Sequence, residues 1–282
     1  MRHIAVVCNP LSGKGKPLKL LPLFEAYLKK EGLLFQSFTG KLPDSLAGFS
    51  DLVIMGGDGT LNYVLNHFKT IDIPIGYISC GTGNDIGMLL LSDKTFEEQF
   101  ETAICANPQR VDVGVCNGRL FLNGAGIGFD GWVVKRLLAK SLFKGKAAYY
   151  STVISLLLFY KETRVTIIAG HKNYETELFM LNAANGKSYG GGFRVAPHAS
   201  ITDGWLELIV ISRISLLKRL LYLPVIEKGR HLEKSLSFID YTQVKKISIV
   251  SEHLLHAHLD GEHLASKQFD IELLPGKIQV RY

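Results

Sequence analysis

Apolar residues in the first third of the chain alternate between two patterns. HIAVVCNP (3–10) is a short apolar run ending in turn residues, LKLLPLFEAYLKKEG (18–32) has helical spacing with a glycine stop, and SDLVIMGGDG (50–59) is again an apolar run closing on glycine. NYVLNHFK, IPIGYISCGTGND and KTFEEQFETAICAN continue the alternation. Strand, helix, strand in this order predicts a parallel sheet covered by helices, with ligand-binding loops at the carboxyl ends of the strands. The glycine-rich turns fall at such ends.

After about residue 112 the texture changes. RVDVGVCNG, RLFLNGAGIG, TRVTIIAGHKNYETELFMLNAANG, GWLELIVIS, KKISIVSEHLLHAHLDG and FDIELLPGKIQVRY are short alternating stretches punctuated by turns, which read as antiparallel sheets. Two helix-like insertions interrupt them, at about 131–160 and 215–234. No internal repeat, low-complexity tract or flexible linker is present, so the reading is two domains, 1–112 α/β and 113–282 β-rich, packed closely with a cleft between them. The last residues are candidates to return to the first domain.

Composition leaves this picture intact and narrows the class. The chain has 282 residues, 47% apolar and 21% charged, with a formal net charge of +6 that suits anionic partners such as nucleotides, phospholipid headgroups or nucleic acid. Cys8, Cys80, Cys105 and Cys116 form no CxxC pair and read as reduced core thiols. The run before Asn9 and Pro10 reads as a strand and not as a signal peptide, so the expected location is cytoplasmic. The longest uncharged stretch, AAYYSTVISLLLFY (147–160), falls short of the ~20 apolar residues of a membrane-spanning helix, so any membrane contact is expected at the surface.

Three turns carry the chemistry. Asn9-Pro10-Leu11-Ser12-Gly13-Lys14-Gly15-Lys16 follows the first expected strand; its small residues let backbone N–H groups approach an anion, Ser12 hydrogen-bonds to it, and Lys14 or Lys16 neutralises it. It is not a GxxxxGK[ST] loop, and a flexible basic turn is the plain alternative. In IMGGDGTLN (54–62) the glycines remove Cβ atoms that would hold a phosphate off, Thr60 can cap the next helix, and Asp58 can hold water bound to Mg²⁺. A simple Asp-Gly hairpin accounts for one glycine there, not three. Ser79-Cys80-Gly81-Thr82-Gly83-Asn84-Asp85 repeats the recipe, and the three turns on one sheet edge form a candidate cradle for a nucleoside triphosphate.

NPLSGKG, GGDGTLN, CGTGNDIG, NGKSYGGGFRVAPHASITDGWLEL and the late LDGE occur in the order and spacing of the diacylglycerol kinase catalytic-domain family, which includes bacterial lipid kinases and sphingosine kinases; the chain resembles that family over nearly its full length. NAD kinases share a GGDGT-type turn and a related fold, while GTGND and the DGE pair favour the lipid kinases. The resemblance implies an NAD-kinase-like α/β domain followed by a β-sandwich. It also implies ATP phosphates held by Asn9, Ser12, Gly13, Lys14 and the turn Gly56, Gly57, Asp58, Gly59, Thr60, Leu61 and Asn62, with Thr39, Thr82, Asn84 and Asp85 as further nucleotide contacts. Asp58, Asp85 and Asp112 would organise Mg²⁺ and its waters, although Asp112 reads equally as a turn residue paired with Arg110. Glu262 matches the family's general base, with Asp260 as its competitor. Ser200, Asp203 and Trp205 match a second, structural or regulatory metal site, the first and last through main-chain oxygen.

His253, His256, His258 and His263 in EHLLHAHLDGEH lack the spacing of a structural zinc site. Lys135, Arg136, Lys140, Lys144 and Lys146, and the mixed segment 214–234, can lie on an anionic bilayer or form solvated helix faces. The expectation is an ATP- and Mg²⁺-dependent lipid kinase, cytoplasmic and peripheral at the inner membrane surface, acting on a lipid such as diacylglycerol or a sphingoid base. The alternatives are an NAD kinase-like small-molecule kinase and a non-catalytic nucleotide-binding regulator. No nucleic-acid partner is expected, since no reading motif accompanies the basic charge. Oligomeric state is open, a homodimer included.

Overall fold

The computed structural model describes residues 2–68, 70–139, 146–233 and 236–282. Lys140, Lys144 and Lys234 of the basic segments lie outside the described residues, as does the side chain of Lys146. The chain divides into two compact units, Met1–Asp112 with Gly276–Tyr282, and Val113–Pro275.

The first unit contains β1 (His3–Cys8), α1 (Lys16–Lys30), β2 (Leu34–Thr39), β3 (Asp51–Gly56), α2 (Asp58–His67), β4 (Ile75–Ser79), α3 (Asp85–Leu91), α4 (Phe96–Cys105) and the start of β5 (Gln109–Cys116). The strands run β2-β1-β3-β4, every neighbour parallel. β3 and β4 are buried at every position, as strands covered on both faces must be, which is why they read as unbroken apolar runs. On one face Ile4, Val6, Val53, Met55 and Ile78 pack with Leu20, Phe24 and Leu28 of α1, spaced four apart, and with Phe100, Ala103 and Ile104 of α4. Thr95 starts α4 with a capping box: its hydroxyl accepts from the Glu98 amide while the Glu98 carboxylate accepts from the Thr95 amide. The end of the chain completes this unit, with Val280 and Arg281 pairing in parallel with Ile75 and Gly76. Asp51, only 2% exposed, takes hydrogen bonds from both Arg2 and Arg281. Burial pushes its carboxyl up, but the bonds from Arg2, Ser50 and Arg281 outweigh this and hold it below the usual carboxylate range.

The second unit holds the rest of β5, then β6 (Arg119–Phe121), β7 (Gly124–Gly128), α5 (Phe129–Ala139), α6 (Lys146–Phe159), β8 (Thr163–Ala169), β9 (Lys172–Ala184), β10 (Leu206–Ser212), α7 (Leu216–Glu227), β11 (Ile239–Val244), β12 (Lys246–Leu259) and most of β13 (Glu262–Arg281). Its strands pair antiparallel in the order β11-β10-β9-β7-β12-β13, and β8 bridges β9 and β12. β9 and β12 each change partner midway, pairing at one end with β8 and at the other with β7, so four strands close on an apolar interior. Leu181, Ala183, Leu208, Ile249, Ala257 and Phe269 belong to that interior. The second half of β9 is buried on its other face too, where Phe179, Met180 and Ala184 meet Phe129 and Val133 of α5 and Val153 and Leu157 of α6. No helix among the described residues is long and apolar enough to cross a membrane.

Candidate functional site

In the first unit the chain turns sharply at the carboxyl ends of β1, β3 and β4, and the three turns interlock. Gly13, Lys14 and Gly15 all have positive φ, a left-handed run that leads into α1 and turns successive N–H groups toward one side. Asn9 donates to the Thr60 hydroxyl at 2.8 Å, and the Ser12 and Thr60 hydroxyls lie 3.1 Å apart. The Gly57 amide donates to Ser12 at 3.3 Å, and the Cys80 amide donates to the Gly56 carbonyl at 2.8 Å. Thr39 ends β2 beside this turn, since Gly40 donates to the Cys8 carbonyl and lies against Pro10. Lys14 and Thr82 are exposed, and Asn62 is buried in α2.

Thr60 does not cap α2. The helix begins at Asp58 with Gly57 at the capping position and no side-chain cap, because Thr60 stands inside the first turn with its hydroxyl committed to Asn9 and Ser12. One residue thus ties the first turn to the second.

Asp58 and Asp85 are brought together: the Asp85 amide donates to Asp58 Oδ2 at 2.8 Å, and Tyr77 donates to Asp58 Oδ1 at 3.3 Å. Tyr77 is fully buried, and burial followed by the Asp58 charge pushes its hydroxyl up, so it stays a donor. Asn84 precedes Asp85 in a left-handed conformation and starts α3, a helix the sequence reading did not separate from the turn. Asp112, 3% exposed, accepts from the Gly276 amide at 2.7 Å while Arg110 donates to the Gly276 carbonyl, so this carboxylate fastens β5 to the returning end of the chain. Oxygen donors such as Asp58 and Asp85 suit Mg²⁺, which keeps several waters and uses one or two carboxylates plus phosphate oxygens. Among the described residues no three His, Cys, Asp or Glu side chains converge as a metal shell.

In the second unit Asp260 and Gly261 form the two-residue turn between β12 and β13, with positive φ at both as a type I′ hairpin requires. The Asp260 carboxylate accepts three backbone amides, from Leu122 at 2.7 Å, Asn123 at 2.9 Å and Gly124 at 3.0 Å. Glu262, the next carboxylate, opens β13 and is exposed. Against this turn lies a cluster absent from the sequence reading: His258 Nε2 is 3.1 Å from Asp130 Oδ2, Asn182 donates to the same oxygen, and the Tyr189 ring meets the imidazole edge-on. The glycines before Asp130 are what makes room for it: a Cβ on Gly126 would lie 2.5 Å from both Asp130 and His258.

His256 belongs to a neighbouring group, with Lys135 Nζ at 2.9 Å and His263 Nε2 at 3.1 Å from its ring nitrogens. Burial, then Lys135 and His263, hold His256 down to about 4, and burial lowers His263 as well. At the other candidate metal position Trp205 donates its amide to Asp203, Ser200 lies near Thr202, and Lys245 sits over the 40%-exposed Trp205 ring. Glu207, 1% exposed, follows on β10 and accepts from Gln243, a buried carboxylate that no motif marked.

Residues 3–116 match the diacylglycerol kinase catalytic domain, and residues 124–282 match the YegS C-terminal NAD kinase beta sandwich-like domain. The chain is 32% identical over 244 residues to a Chromohalobacter salexigens protein named "Probable lipid kinase YegS-like", covering 83% of this chain and 76% of that one. It is 27% identical to the diacylglycerol kinase of Mycobacterium tuberculosis in a 293-residue alignment covering 98% of this chain and 94% of the other. The crystal structure of a diacylglycerol kinase from Bacillus anthracis shares the fold, with a TM-score of 0.73 at 22% identity over 100% of this chain and 96% of that one.

Proposed function

The chain belongs to the diacylglycerol kinase catalytic-domain family, and from that premise we propose that it is an ATP-dependent lipid kinase that passes the γ-phosphate of ATP to a lipid hydroxyl. Diacylglycerol and sphingoid bases are the acceptor classes. The observation that carries this reading is the interlock of the three turns on Thr60, which presents backbone amides, Asn9 and Ser12 in one group beside the acidic pair Asp58 and Asp85.

The amides of the Gly13–Gly15 run and the start of α1 bind the phosphates, with Lys14, Thr39, Thr82 and Asn84 as further nucleotide contacts. Asp58, Asp85 and Asp112 would hold Mg²⁺ through its waters. When bound, the ion supplies charge neutralisation at the β- and γ-phosphate oxygens. Glu262 takes the proton from the acceptor hydroxyl as its oxygen attacks the γ-phosphorus and the bond from that phosphorus to the bridging oxygen breaks, releasing ADP; phosphoryl transfer to an alcohol needs a carboxylate within hydrogen-bond reach of that proton. Asp260 fits this role less well, with three amides already on its carboxylate. Ser200, Asp203 and Trp205 would form a second metal position with a structural or regulatory role.

Access to a lipid calls for contact with a bilayer. Leu216, Leu217, Leu220 and Leu221 share a face of α7 and are 41–67% exposed, while Ile154, Leu158 and Phe159 are exposed on α6. Arg219 joins the two helices by donating to the carbonyls of Leu157 and Tyr160 and pairing with Glu162. Exposed Lys161, Lys218 and Lys228 flank this apolar surface, a combination that supports docking on an anionic membrane from the cytoplasmic side.

The test is transfer of radiolabelled γ-phosphate from ATP with Mg²⁺ into a panel of detergent-dispersed lipids plus NAD, by wild type and Glu262→Ala. Label in a lipid, lost in the variant, is the expected result. Label in NAD alone would replace this function with that of a soluble-metabolite kinase.

A further inference from the structure

Glu262 follows a turn that is pinned from two sides. Asp260 anchors one side through the amides of residues 122–124, and on the other the Gly261 amide donates to His258 Nδ1 at 3.3 Å. In a two-residue hairpin the ladder bond joins the flanking residues, here Leu259 and Glu262, and the amide of the second turn residue has no partner within the turn. The imidazole supplies that partner. Accepting from an N–H requires a lone pair on Nδ1, so the ring proton sits on Nε2, where Asp130 Oδ2 receives it at 3.1 Å. Asn182 donates to the same Asp130 oxygen at 3.3 Å and fixes the carboxylate in turn. The arrangement is enclosed: His258 is 3% exposed, Tyr189 packs edge-on against it, and Gly126 is bare of the side chain that would displace the pair.

We propose that His258, oriented by Asp130, is a positioning residue for Glu262: it holds the Gly261 amide and thereby sets where the base stands relative to the acceptor hydroxyl. This rests on Glu262 being the base. A base displaced by a fraction of an ångström loses rate while substrate binding persists, because proton transfer depends on hydrogen-bond reach more steeply than affinity does.

Two substitutions separate the two bonds of the ring. His258→Asn places an amide oxygen where Nδ1 was and can still receive the Gly261 N–H, whereas His258→Gln places an amide nitrogen where Nε2 was and keeps only the contact with Asp130. The expected result for His258→Gln is a kcat lowered ~10–100-fold with KM for ATP and lipid nearly unchanged, and for His258→Asn a kcat within about threefold of wild type. Asp130→Asn is expected to resemble His258→Gln, because an amide facing Nε2 favours the other ring tautomer and puts a proton against the Gly261 amide. Thermal unfolding of all three variants identifies any that lose turnover by unfolding, and the comparison is made between variants of equal stability. Equal kcat in His258→Asn and His258→Gln, whether both high or both low, overturns the proposal. Wild-type turnover in Glu262→Ala overturns instead the assignment of the base.

Discussion

Gly13 and Cys80, on different turns and 67 positions apart in the chain, are in such close contact that a β-carbon on Gly13 would lie 1.8 Å from the Cys80 carbonyl oxygen. Gly13 also has a φ of +50°. Since the obstruction is backbone, no rotamer change relieves it. Gly13→Ala is therefore expected to cost about 2–5 kcal/mol, the sum of left-handed strain and overpacking, and to weaken ATP binding at least ~10-fold by parting the first turn from the third. Urea unfolding and nucleotide titration read the two effects separately.

Thr60 joins Asn9 and Ser12 through one hydroxyl. Thr60→Val keeps the shape and removes the hydrogen bonds, leaving two polar groups without their partner at a cost of ~1–3 kcal/mol. Thr60→Ser, which retains the hydroxyl, is expected to restore most of the stability and of the ATP affinity in the same two measurements. Wild-type stability and affinity in Thr60→Val, with the loss confined to Thr60→Ser, would show that the methyl group, and not the hydroxyl, is what matters.

The fold holds His256 down to about 4, with burial the first cause and Lys135 and His263 next. The folded value lies below the ordinary imidazole value of about 6.5, so the unfolded chain takes up this proton first as pH falls. Its contribution to stability is complete above about pH 6.5 and is lost progressively toward pH 4, in the same direction as that of His263. The urea midpoint should fall between about pH 7 and pH 4.5, and His256→Gln should make that fall shallower. A slope unchanged in the variant would exclude His256 as a source.

Leu217 and Leu221 are 67% and 59% exposed on α7, one turn apart. Replacing both with Asp adds charge to the surface assigned to the bilayer without disturbing the buried side of the helix. Sedimentation with vesicles of anionic lipid should drop several-fold while ATP binding and the thermal midpoint hold, since burial of each leucine is worth ~1.5–3 kcal/mol. Unchanged sedimentation would move the membrane contact elsewhere.

The local elements were legible because each writes its own periodicity into the chain. β3 is an apolar run closed by glycine, α1 buries one residue in four, and α4 announces its start with Thr95 and Glu98. The insertion at about 131–160 divides into α5 and α6, and that at about 215–234 contains α7. A threonine just before an apolar helix favours a capping role for Thr60. Its actual partners stand 48 and 51 positions away, beyond the reach of any local rule.

By itself the sequence determined the strand and helix runs, the three glycine-rich turns at strand ends and the family to which they belong, because backbone preference and side-chain periodicity act within a few residues. The tertiary structure decided what those residues touch. It put Thr60 between Asn9 and Ser12, spent the Asp260 carboxylate on three amides, sent Asp112 to the Gly276 amide, and set Asp130 of α5 against His258 of β12. Hydrogen bonds and close packing between distant segments depend on where whole elements come to rest, and that is settled by burying both faces of the sheets together, not by any one segment's pattern.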